Sequence, residues 1–177
     1  MSERVHDGLV SLREMPTRGM ITLRGDLGDA ALRKAVEAGV PMPARGRLTV
    51  AGARMAAWMS PDELLLMAPH GAIAEDKAAL KAALAGTHHL VTDVSDARCV
   101  MELTGANIRE VLAKLSPVDF RDFDVGRFRR TRLAQVPCAV GMVAADRAEL
   151  IAFRSVTDYV WAVLENANDA AAPVGHF

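Results

Sequence analysis

Cysteine, net charge and long apolar runs are all scarce in this sequence, and each shortage closes off a class of function. Only two of the 177 residues are cysteine, too few for a disulfide framework to stand in for a hydrophobic core. Cys99 and Cys138 lie far apart in apolar surroundings, "RCVMEL" and "VPCAVG". Such settings suit buried free thiols in a reducing compartment, although a single bridge stays open. A formal net charge of -1 gives no global field to recruit nucleic acid or an anionic membrane. No segment reaches ~18 consecutive apolar residues, and the N-terminal "MSERVHDGLV" has no apolar signal region. The expectation is therefore a cytoplasmic protein with neither membrane span nor export signal.

Site motifs are missing as well. None of the histidines, His6, His70, His88, His89 and His176, is spaced with a cysteine, histidine or carboxylate as a zinc site requires. No phosphate-binding P-loop occurs, "GDLGDA" lacks the glycine spacing of a dinucleotide fingerprint, and there is no G-x-S-x-G elbow. What is present is core material. The hydrophobic fraction of 51% is enough for one ordinary domain or two small ones.

The apolar pattern repeats. "GMITLRG" (19 to 25) alternates as a strand, and a helix follows with Asp29 as its N-cap and Leu32, Ala35 and Val36 on one face. "RLTVAGARMAAWM" (47 to 59) reads as one long strand or a hairpin. "LLLMA" (64 to 68) is a short unbroken apolar run, a strand covered on both faces. "EDKAALKAALAG" (75 to 86) is a second helix and "HHLVTDV" (88 to 94) a strand. The order then restarts, with "VMELTG" at 100 to 105 matching "MITLRG" at 20 to 25. The next helix places Ile108, Val111, Leu112 and Leu115 on one stripe, and "AELIAFR" (148 to 154) matches "DELLLMA" (62 to 68). Two β-α-β-β-α copies, residues 1–96 and 97–177, imply an α+β fold with mostly antiparallel sheets, packed as one unit.

Three features invite a functional reading. The corner "TDVSDARC" between the copies sets Asp93 and Asp96, candidate bases, beside Cys99, a candidate nucleophile. Cys99 alternates with Met101 and Leu103 and so falls on their apolar face, and Asp and Ser close turns through nearby backbone N–H groups. The residues thus favour a structural corner. The unrepeated stretch "SPVDFRDFDVGRFRR" (116 to 130) carries Phe120, Phe123 and Phe128 among arginines. Its aspartates nearly offset those arginines, which argues against nucleic acid and for a protein partner. In the last helix Ser155 and Asp158 have capping-box spacing. A stripe of Val156, Tyr159, Val160 and Val163 leaves Trp161 roughly 130° away on the outer face. Phe120, Phe123, Phe128, Arg129, Arg130 and Trp161 are the expected partner contacts.

Three segments, "WMSPDELLLMAP" (58 to 69), "VTDVSDARCVMELTGANIREVLAKLSPVDF" (91 to 120) and "ELIAFRSVTDYVWAVL" (149 to 164), together resemble the gamma subunit family of heterotetrameric sarcosine oxidase. The "DVSDAR" corner is also similar to the folate-binding aminomethyltransferase family, which implies the same duplicated fold. The first resemblance implies a non-catalytic chain with no catalytic, cofactor or metal residue of its own. Its partners would be alpha, beta and delta subunits carrying FAD, covalent FMN, NAD, tetrahydrofolate and zinc. The second leaves an alternative, a small stand-alone folate-binding one-carbon transferase or repair factor using Asp93 or Asp96. The tail "ENANDAAAPVGHF" departs from the gamma pattern.

Overall fold

The computed structural model describes residues 4–177. Residues 1–3, part of the stretch read for an export signal and of the expected first copy, lie outside the described residues. Two short strands come first, β1 (Val5–Asp7) and β2 (Ser11–Glu14). They are followed by β3 (Gly19–Gly25), helix α1 (Ala30–Glu37), β4 (Leu48–Ala51), β5 (Arg54–Ser60), β6 (Glu63–Ala68), α2 (Ile73–Ala83) and β7 (His89–Asp93). The second series is β8 (Arg98–Thr104), α3 (Ile108–Ala113), β9 (Phe128–Leu133), β10 (Val136–Ala144), β11 (Arg147–Phe153) and α4 (Thr157–Ala167). The 47–59 segment resolves as a hairpin, and β9–β10 is its counterpart. Each copy therefore has one strand more than the sequence pattern separates.

The described strands form two antiparallel sheets, in the orders β4-β5-β6-β3-β7 and β1-β2-β8-β11-β10-β9. Contacts divide the chain into a unit of residues 17–95 and a second made of residues 4–16 with 96–177. The boundaries expected at 1–96 and 97–177 differ from this at the N-terminus. β2 pairs antiparallel with β8, Leu12 opposite Leu103, and so takes the place beside β8 that β7 takes beside β3. Among the described residues no strand follows α4, and β2 from the N-terminal segment stands in the corresponding position. Leu12 and Val10 are buried in the second unit's core with Leu103 and Leu164.

Local chemistry explains the element ends. Asp29 caps α1, its carboxylate accepting the N–H groups of Ala31 at 2.7 Å and Leu32 at 3.0 Å. Leu32 and Val36 are the buried face of that helix. The capping box expected for α4 does not form: a 3-10 turn at Arg154–Val156 precedes it, and no side chain caps Val156. Instead the Thr157 hydroxyl donates to the Arg154 carbonyl at 2.7 Å. Tyr159 is exposed, and the buried face is Val160, Leu164 and Ala167. The buried face runs from Val160 through Leu164 to Ala167, about one and two turns further on, rather than through Tyr159.

Candidate corner, partner surface and cleft

In the 17–95 unit the end of β7 is tied to the start of β3. Asp93 accepts both the backbone N–H of Ser95, at 3.0 Å, and its hydroxyl, at 2.6 Å. Ser95, only 3% exposed, in turn accepts the N–H of Met20 at 2.9 Å. The Ser95 hydroxyl, then its backbone N–H, hold the Asp93 carboxyl below its usual range. An acid so stabilised as its anion is a weak proton acceptor. The geometry gives Asp93 a turn to close.

Cys99 and Cys138 are buried free thiols. Both lie opposite Ala152, on the strands either side of β11. Two strand spacings, ~9.6 Å, exceed the reach of a disulfide. Burial pushes the Cys138 thiol up to about 12, which leaves almost no thiolate near neutral pH.

The six expected partner residues do not share one surface. Phe120, Phe123 and Phe128 are 0%, 5% and 2% exposed, which corrects their assignment as exposed contacts. Phe120 and Phe123 meet edge to face, ring centres 5.2 Å apart, inside the core of the second unit. The α3–β9 connection turns its rings inward and leaves Asp119 and Arg121 paired outside, at 2.6 Å. The apolar half of this stretch is a lid on the core. Arg129 and Arg130 are exposed on β9, an edge strand. Trp161 is half-buried at the core margin, with the Arg4 guanidinium 6.0 Å from its ring centre.

One concave feature escaped the sequence reading. In the 17–95 unit α1 and α2 leave between them a cleft of about 690 Å³ over the sheet. Ala31, Ala35 and Gly39 form one wall, Ala79 and Ala83 the other, and Leu66 lines the cleft from β6. Leu66 stands in the middle strand of its sheet yet is only half-buried. Lys34, Arg54 and Asp76 are its charged groups, and Arg54 is hydrogen-bonded to Asp76. The signal in the sequence was small residues at four-residue spacing on α1, a weak one, since alanine is also the default helix former.

Residues 24–171 match the sarcosine oxidase gamma subunit family. The chain belongs to this family. A sarcosine oxidase subunit gamma from an Arthrobacter species is 36% identical over 135 residues, covering 73% of this chain and 66%, just under two thirds, of that protein. A chain in the structure of heterotetrameric sarcosine oxidase from Corynebacterium sp. U-96, in complex with pyrrole 2-carboxylate, has a TM-score of 0.84 at 30% identity. It covers 98% of this chain and 91% of that one. The glycine cleavage system aminomethyltransferase T from Bartonella henselae has a TM-score of 0.64 at 13% identity, covering 85% of this chain and 44% of that one. At that identity the likeness shows the fold alone, the aminomethyltransferase-like α+β fold that the resemblance of the "DVSDAR" corner implies.

The segments that carry the gamma-family resemblance make structural contacts. Arg154, from "ELIAFRSVTDYVWAVL", donates to the carbonyls of Asp96 at 2.9 Å and Arg98 at 2.6 Å, inside "DVSDAR". Glu63, from "PDE", is buried and lies 3.2 Å from the Arg24 guanidinium. Trp58 is covered by Arg45, 5.8 Å from its ring centre. Among the described residues no group of three or more His, Cys, Asp or Glu side chains is arranged to hold a metal, and no helix is long and apolar enough to cross a membrane.

Proposed function

We propose that this chain is the gamma subunit of a heterotetrameric sarcosine oxidase and contributes structure and assembly rather than chemistry. The observation that carries the reading is the near full-length likeness to a chain of the Corynebacterium enzyme. The corner supports it, since Asp93 is bonded to Ser95, Ser95 to the main chain of Met20, and Arg154 to the carbonyls of Asp96 and Arg98. In the complex that the family resemblance implies, alpha, beta and delta subunits carry FAD, FMN, NAD, tetrahydrofolate and zinc. The holoenzyme oxidises sarcosine to glycine, forming hydrogen peroxide and, with tetrahydrofolate, methylenetetrahydrofolate. A cytoplasmic location fits these partners. Of the six expected contacts, Arg129, Arg130 and Trp161 remain accessible to a partner, whereas the phenylalanines do not.

Co-expression of the tagged chain with candidate alpha, beta and delta subunits tests this directly. The expected result is co-purification in fixed stoichiometry. Failure to co-purify, together with binding of tetrahydrofolate by the isolated chain, would favour the folate-binding transferase instead.

A further inference from the structure

The two helix pairs of the duplicated fold treat the groove between their helices differently, and the difference points to a ligand. Superposing the apolar stripes sets Leu32, Ala35 and Val36 of α1 on Ile108, Val111 and Leu112 of α3. Lys34 then corresponds to Glu110, Ala38 to Lys114 and Gly39 to Leu115. Helices α2 and α4 have equal length and each follows a 3-10 turn, which sets Asp76 on Val160 and Ala79 on Val163. The second unit thus has larger side chains here, Val111 and Val160 buried in its core and Leu115 and Val163 half-buried against it. At the same places the 17–95 unit has Ala35, Gly39, Asp76 and Ala79, which line the open cleft.

The second unit also curls a peptide segment against α3, with Gly175 at φ +71°. The Glu110 carboxylate, itself buried, accepts the backbone N–H groups of Val174, of Gly175 at 3.1 Å and of His176 at 3.3 Å. Lys114 Nζ donates to the carbonyls of Ala167 at 2.9 Å and Ala172 at 2.7 Å. The peptide is the chain's own tail. The 17–95 unit has no equivalent segment, because the chain after α2 passes within a few residues into β7.

We infer that the α1–α2 cleft receives an apolar peptide segment of a partner subunit, with a carboxylate of that segment facing Lys34. This rests on the subunit reading above. The exchange of Glu110 for Lys34 inverts the groove's polarity: one copy accepts backbone N–H groups, the other offers a cationic donor suited to a carboxylate. Asp76 neutralises Arg54, so Lys34 is the cleft's uncompensated charge in that pairing. Walls of alanine and glycine let a main chain approach closely, as small residues do wherever backbones pack together.

The test co-expresses the full-length chain with the alpha, beta and delta subunits, as wild type, Ala79→Trp and Lys34→Glu. Ala79 and Lys34 are exposed, so both variants should keep the free chain's melting temperature while the first fills the cleft and the second reverses its charge. Assembly weakened roughly ten-fold or more in both, with amide protection gained at 31–39 and 76–83 in the wild-type complex, is the expected result. Wild-type assembly with unchanged variant assembly, or with no such protection, overturns the inference and leaves the subunit reading intact. Protection arising from self-association of the chain, or from tetrahydrofolate added to the isolated chain, overturns it in favour of those occupants. Failure of the wild type to assemble removes the subunit reading and this inference with it.

Discussion

The side chain of Asn168 holds the main chain of Val10 from both sides, accepting its N–H at 2.9 Å and donating to its carbonyl at 2.9 Å. Asn168 is 0% exposed, and its own carbonyl accepts the N–H of Leu9 at 2.9 Å. One residue at the end of α4 thereby fastens the turn that delivers β2 to the sheet. The replacement strand is held at its turn as well as along its ladder.

Asn168→Ala should cost about 2–4 kcal/mol, since it strands a buried donor and a buried acceptor at once. Urea unfolding measures it, and hydrogen exchange should show residues 5–14 losing protection first. Gly8→Ala tests the same contact from the other side: a Cβ there would sit 1.9 Å from the Asn168 carbonyl oxygen, a clash with backbone. An unchanged melting temperature in both variants would contradict this role.

Phe120→Ala should destabilise the free chain by about 3–5 kcal/mol through the cavity it leaves. Arg129→Glu, on the exposed edge strand β9, should stay within about 0.5 kcal/mol of wild type. Thermal melting of the isolated chain separates the two, and an unaffected Phe120 variant would return that ring to the partner surface.

The two hairpin turns have different strain. Gly52 at β4–β5 has φ +60°, and Ala134 at β9–β10 has φ +47°, the left-handed region that penalises a Cβ by ~1–2 kcal/mol. The N–H of Ala134 donates to the Leu115 carbonyl at 2.7 Å, and that bond helps hold the residue there. Ala134→Gly should stabilise the chain by about 0.5–1 kcal/mol and Gly52→Ala should destabilise it by a similar amount, both read from chemical denaturation midpoints.

The tail contact is pH-dependent. Burial raises the Glu110 carboxyl, but the N–H groups of Val174, Gly175 and His176 together outweigh it and hold the group below its ordinary range. A lowered acid stabilises the folded contact above its unfolded value, ~4.3, and loses that contribution as pH falls through the folded value. Hydrogen exchange at 172–177 should therefore be protected at neutral pH and lose protection as the solution is acidified below that range. Glu110→Gln should lose most of this dependence, whereas a pH response unchanged in that variant would assign it to another group.

Much of the fold was legible because it is local. The apolar stripe of Leu32 and Val36, the Asp29 cap and the strand runs at 19–25 and 64–68 each depend on residues within a turn or two, and so does the echo of one copy in the next. The family itself was legible, because "DVSDAR" and "RSVTDYVWAVL" have a spacing in the chain that does not depend on what they touch. Which way a side chain faces in an irregular segment, and which strand fills a vacant sheet position, depend on partners far away in sequence. Phe120 and Phe123 looked outward from the charge around them and turn inward because the second unit's core accepts them. The N-terminal residues looked like the start of the first copy and belong to the second, because the vacancy beside β8 and the carboxamide of Asn168 are distant in sequence. The cleft was invisible for the same reason. Ala35 and Gly39 on α1 are ordinary helix residues until α2 is brought beside them, and only tertiary packing distinguishes a small residue that fits from one that leaves space.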